Sequence, residues 1–180
     1  MLSASGEITE TRLRPTICEA IERAAASLDI TGVRALRVLL HAGVSAYWPL
    51  IKAAPDGQIR AYERIVNALR SRWATREPVA AAAYSAAGLS DTALAEPAPT
   101  EGNPAASVFR EMDCEVADFL RLCADRSGAQ WLEPVEAIAS YTVSVLQGTV
   151  LRWLSDSDDE TMLVVLDDLV SSLSTKAVEV

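Results

Sequence analysis

Apolar residues recur at helical spacing along almost the whole chain, and no stretch alternates in the way that predicts a strand. Over 11–28, Ile17, Ala20, Ile21, Ala24 and Leu28 share one face, while Arg12, Arg14, Glu19, Glu22 and Arg23 lie elsewhere. Asp29-Ile30-Thr31-Gly32 breaks that pattern. Val33, Leu36, Leu40, Val44 and Tyr47 then hold a single phase, predicting one helix over 33–48 ahead of the turn at Pro55-Asp56-Gly57. Ile59, Tyr62, Val66 and Leu69 mark the next helix, and an alanine-rich helix is expected near 76–87. Residues 88–104, rich in Pro, Gly, Ser and Thr, read as a long loop. Asn103-Pro104 is a helix start, followed by Val108, Met112, Val116, Phe119 and Cys123 up to a stop at Gly128. Glu133-Pro134 opens a helix to about Leu154, and Ser157-Asp158-Asp159-Glu160 has capping-box spacing for a last one to about Ser174.

These last two helices differ from the others. Val135, Ile138, Tyr141, Val143, Leu146, Val150, Leu151, Trp153 and Leu154 wrap most of the first. Met162, Leu163, Val164, Val165, Leu166, Leu169, Val170 and Leu173 do the same for the second. A helix apolar on most sides buries two faces. One face can serve the chain's own core and the other a second copy, which predicts a twofold four-helix bundle. Val143, Leu146, Val150, Leu151, Leu154, Leu163, Leu166 and Val170 are the expected interface; the alternative is that both helices lie centrally in one larger bundle. The expected architecture is an all-α multi-helix bundle: a disordered N-terminus over 1–10, then one helical domain over 11–180.

Charge narrows the partners. The chain of 180 residues has a net charge of −9. Residues up to Tyr47 hold five basic and five acidic groups, and the remainder eleven basic and twenty acidic. A duplex-binding surface needs a basic excess to neutralise phosphates, and neither part has one. No apolar run reaches membrane-spanning length. The N-terminus lacks a basic-then-apolar leader pattern, so the expected location is cytoplasmic. Cys18, Cys114 and Cys123 have no metal-binding spacing and read as reduced structural thiols.

Chemistry is sparse. His41 is the one histidine and lies beside an apolar face, with no Glu-x-x-His spacing around it. Asp156, Asp158, Asp159 and Glu160 fit helix capping better than a calcium loop. The glycines are scattered, with no phosphate-cradling run. No catalytic residue, metal site or cofactor is expected, although a helical enzyme of unknown activity is a reading the residues leave open.

Two segments together resemble the ligand-binding and dimerisation domain of TetR-family transcriptional regulators. The first is "SAYWPLIKAAPDGQIRAYERIVNALR" (45–70), through Trp48, Leu50, Pro55, Gln58, Tyr62, Glu63, Ala68, Leu69 and Arg70. The second is "WLEPVEAIASYTVSVLQGTVLRWLSDSDDE" (131–160), through Gln147, Gly148, Leu151, Trp153, Leu154, Asp156 and Asp158. Gln147 stands where the family usually has an acidic residue and Thr149 where it has Leu. The resemblance covers roughly 33–180 and implies a homodimer that senses a small apolar effector. It also implies an apolar cavity, for which Trp48, Tyr62, Val66, Met112, Val116, Phe119, Tyr141 and Val145 are the candidates, with the Tyr62 and Tyr141 hydroxyls as polar handles.

The family's DNA-binding domain ends near an "AGVS" turn followed by a Tyr and a Phe. Here Ala42-Gly43-Val44-Ser45 is followed by Leu50 and Ala53 at those places, with Pro49 between. An intact helix-turn-helix is therefore expected to be missing, with residues 10–28 standing where the family has its connecting helix. A diverged helix-turn-helix within 10–50, in an intact DNA-binding repressor, is the competing reading.

Overall fold

The computed structural model describes residues 14–74 and 104–179. Among them are six helices, α1 (Pro15–Ala26), α2 (Gly32–Lys52), α3 (Pro55–Ala74), α4 (Pro104–Ser127), α5 (Val135–Asp156) and α6 (Asp159–Ser174). Two short strands, β1 (Ala129–Trp131) and β2 (Ala177–Glu179), complete the described elements. The all-α bundle expected from the periodicity is the observed architecture. The alanine-rich helix near 76–87, the loop over 88–103 and the disordered 1–10 lie outside the described residues.

Proline opens four of the helices. Pro15, Pro55 and Pro104 are first residues, and Pro134 is the N-cap of α5. At these positions the missing N–H has no helical partner to lose, and the fixed φ already suits the helix. Gly128, at φ +70°, ends α4, and its N–H donates to the Ala124 carbonyl at 2.9 Å. At the head of α6 the cap differs from the Ser157 expected. Ser157, at φ 56°, closes α5, and Asp158 accepts from the N–H groups of Glu160 and Thr161. The connection between α5 and α6 is so short that its first residue serves the outgoing helix and only its second can serve the incoming one.

The chain divides into two compact units, Met1–Ala53 with Met112–Val180, and Ala54–Glu111. The second unit is inserted into the sequence of the first. In the first unit α1 packs on α2, α2 on α6, and α5 on α6. Ile21, Leu36, Leu39, Leu40, Leu120, Val170 and Leu173 form its fully buried centre. Each such side chain contributes about 1.5–3 kcal/mol relative to exposure. The strand pair was not legible in the sequence. β1 and β2 run antiparallel, with Gln130 opposite Val178, and both touch α2. Three residues per strand are too few to display alternation.

Helix α2 is continuous through Gly43-Val44-Ser45, as the unbroken apolar phase predicts. It also runs past its expected end at 48, with Pro49 inside it. Pro49 and Ser45 are exposed, so the carbonyl that loses its partner faces water, while buried Trp48 and Ile51 hold the turns on either side.

In the second unit, Ile65 is the buried residue of α3. Of the residues that mark this helix in the sequence, Ile59, Val66 and Leu69 are exposed and Tyr62 is half-buried. Ala61, Tyr62 and Ala68, each about one turn from Ile65, are half-buried on its side of the helix.

Candidate functional site

The "AGVS" stretch is a packing element. A Cβ placed on Gly43 would lie 2.2 Å from Phe119 Cε2 and 2.9 Å from its Cζ, so the α4 ring rests directly on the α2 backbone. Glycine at this position permits a close approach between two helices. No turn interrupts α2 here, and no recognition helix begins at Ser45.

The end of α2 is tied to the α5–α6 connection by a cluster that the sequence did not reveal. Trp48 and Trp153 meet edge to face, with ring centroids 5.0 Å apart at 85°. The Trp153 indole N–H donates to Asp159 Oδ1 at 2.9 Å, and Lys52 donates to the other oxygen of the same carboxylate. Lys52 Nζ also sits 5.9 Å from the Trp48 ring centroid. These donors hold the Asp159 carboxyl below its ordinary range, the Lys52 hydrogen bond being the largest cause. Trp48 lies in the stretch 45–70, and Trp153 and Asp159 in the stretch 131–160. The fold brings them together.

The eight cavity candidates have different surroundings. Phe119 is buried in the core, and Val116 and Val145 pack partly buried against it. Trp48 is buried in the tryptophan pair. Met112 Sδ accepts from Gln147 Nε2 at 3.1 Å, linking α4 to α5. Tyr62 and Val66 belong to the inserted unit, where Tyr62 is half-buried and Val66 exposed.

Tyr141 departs from expectation. It is 42% exposed, with its hydroxyl 3.5 Å from Ser172 Oγ and Lys176 Nζ 5.8 Å from its ring centroid. Ile138, Ala139, Thr142 and Val143 take the inward face of α5, leaving Tyr141 on the outside.

The eight interface candidates also divide. Val143, Val150, Leu166 and Val170 are buried within the chain itself, so they belong to its core and not to an outer face. Leu146 and Leu154 are half-buried. Leu151 is 51% exposed and Leu163 57%, and Val164, which lay outside the interface set, is also 57% exposed. Thr142 and Thr149, polar residues on the buried side of α5, donate to the carbonyls of Ile138 and Val145 at 2.8 and 2.7 Å. That arrangement leaves neither hydroxyl without a partner on the inward face.

The remaining reactive groups have structural surroundings. His41 Nε2 is 3.2 Å from Asp167 Oδ1, on the outer seam between α2 and α6. Cys123 is buried, and desolvation pushes its thiol pKa far up, while Cys18 is half-buried and Cys114 exposed. Burial is also the main cause raising the Tyr47 hydroxyl. Among the described residues no group of three or more His, Cys, Asp and Glu could hold a metal ion, and no helix is long and apolar enough to cross a membrane. No family model, no curated protein and no solved structure matches this chain.

Proposed function

We propose that this chain is the effector-sensing and dimerisation part of a TetR-like transcriptional regulator. It acts in the cytoplasm as a homodimer that binds a small apolar molecule, and none of its described helices is a DNA-reading one. One observation carries the reading: α5 and α6 each bury one face in the chain's core and still expose Leu151, Leu163 and Val164 by more than half. Large apolar groups exposed on adjacent helices favour a partner that removes them from water. The packing of Trp48 on Trp153 adds support, because it joins one residue from each of the two stretches that carry the family resemblance.

The coupling follows from α5. Its inward face includes Val143 and Val150 in the core, and its outward face includes Leu151. An effector lodged against the inward side, near Val116, Phe119 and Val145, displaces the helix as a body, and the outward face moves with it. The effector shifts the arrangement of two copies only as far as it binds one arrangement better, typically by about 1–3 kcal/mol.

Sedimentation equilibrium tests the dimer. The parent chain is expected to sediment as a dimer, and Leu151→Arg and Leu163→Arg as monomers. An unchanged dimer mass in both variants overturns the reading. A gel shift at low salt tests the missing DNA-reading part: tight, salt-sensitive duplex binding by this chain would restore a helix-turn-helix and sink the proposal.

A further inference from the structure

Helix α3 carries an apolar stripe that the chain leaves largely uncovered. Ile59, Tyr62, Val66, Leu69 and Trp73 follow one another at spacings of three, four, three and four. Tyr62 is half-buried, and the other four are exposed. At 3.6 residues per turn the five fall within about 80° of the helix circumference. So narrow a stripe at this spacing is the seam of a coiled coil, whereas a helix lying in a lipid surface immerses a broader apolar face. The occupant that fits it is another helix.

Charge along the border of the seam selects which helix. Glu63 follows Tyr62 and Arg70 follows Leu69, one heptad apart, and both border the stripe on the side away from buried Ile65. Both are exposed, and among the described residues neither has an ion-pair partner. They stand about 10 Å apart along their own helix, too far to pair with each other. In a parallel pair of α3 helices, Glu63 would face Gln58 and Arg70 would face Ile65, so neither charge would be matched. In an antiparallel pair the bordering positions face their own kind, and Glu63 of one copy meets Arg70 of the other. Twofold symmetry makes that match twice. Arg60 and Arg64 are exposed on the opposite side of α3 and take no part in it.

We infer that α3 is a self-association surface whose occupant is the α3 of a second copy, antiparallel to it, with Glu63 and Arg70 setting the orientation. This surface is separate from α5 and α6, and the inference does not depend on the dimer reading above. Where two chains pair through α5 and α6, contact through α3 joins such pairs into tetramers; where they do not, it joins single chains into dimers. From Ile59 to Trp73 the seam is about 21 Å long at 1.5 Å per residue, and at a helix width of about 10 Å it offers roughly 210 Å². A stable interface needs about 800 Å² per partner. The association is therefore weak and concentration-dependent, and on so small a contact the two charge pairs decide it.

Sedimentation equilibrium of the full chain over a range of concentrations tests this, beside Glu63→Arg, Arg70→Glu and the double exchange, each checked for helix content. The parent chain is expected to double its mass as concentration rises. Each single exchange sets like charges against each other and should weaken that doubling about tenfold, or about 1.4 kcal/mol. The double exchange restores opposite charges and should return it to the parent level. With Leu151→Arg added to all four chains, the same ranking is expected from a monomeric starting species; a starting mass that Leu151→Arg leaves unchanged counts against the dimer reading alone. A parent chain that keeps one mass at every concentration overturns the inference. So do single exchanges that associate as tightly as the parent, and a double exchange no tighter than the singles.

Discussion

Replacing Gly43 by alanine measures how closely α2 and α4 are pressed together. In an unconstrained helix interior the substitution stabilises by about 0.5–1 kcal/mol, because glycine loses more backbone freedom on folding. Here the added methyl would fall 2.2 Å from Phe119 Cε2, about 1.5 Å inside ordinary carbon contact. The ring is buried in the core and cannot swing into solvent, so the helices must part or the ring must leave its rotamer. Overpacking of this kind costs about 1–3 kcal/mol. The net expectation is a loss of roughly 1 kcal/mol, or about 2–4 °C in melting midpoint for a chain of this size. Urea unfolding followed by circular dichroism reads it, with Phe119→Leu and the double variant completing a cycle. Trimming the ring should relieve the methyl, so the double variant is more stable than the sum of the singles predicts. A Gly43→Ala protein more stable than its parent, with additive singles, would refute the close approach.

Asp158 caps α6 through the N–H groups of Glu160 and Thr161 and the Thr161 hydroxyl, and the last of these is the main cause holding its pKa below the ordinary 3.8. A carboxyl lowered on folding stabilises above its unfolded value and loses that contribution as pH falls through the folded one. Asp158→Ala should therefore lower the melting midpoint at neutral pH, Asp158→Asn should do so less, and the difference from the parent should vanish well below pH 3.8. Thiol titration of the native chain should find Cys114 fast and Cys123 unreactive until the protein unfolds; equal rates for the two would contradict the burial of Cys123.

How far the sequence revealed this fold depended on the length of each signal. The run Val33, Leu36, Leu40, Val44 and Tyr47 spans four turns, long enough to identify α2 through the "AGVS" letters and to exclude a turn there. Pro49 costs α2 one hydrogen bond without ending it, the turns on either side being held by buried Trp48 and Ile51. On α3, Ile59, Tyr62, Val66 and Leu69 revealed the helix, yet the buried residue is Ile65, and periodicity alone did not single it out. The apolar residues on most sides of α5 and α6 pointed to two buried faces per helix, but not to Val143, Val150, Leu166 and Val170 serving the chain itself. The Trp48–Trp153–Asp159 cluster joins residues more than a hundred positions apart, and no local pattern encodes such a meeting.

The insertion of residues 54–111 between the two halves of the first unit sets an order of events during synthesis. When α1 and α2 leave the ribosome they can pair with each other, being adjacent in sequence. Leu120, Val170 and Leu173, which complete their apolar surroundings, do not yet exist. At about 5–20 residues per second the intervening segment alone delays them by about 3–12 s. For that interval the nascent chain displays Leu36, Leu39 and Leu40 uncovered, a period in which a chaperone or an early misassociation competes for the surface that α4 and α6 later close.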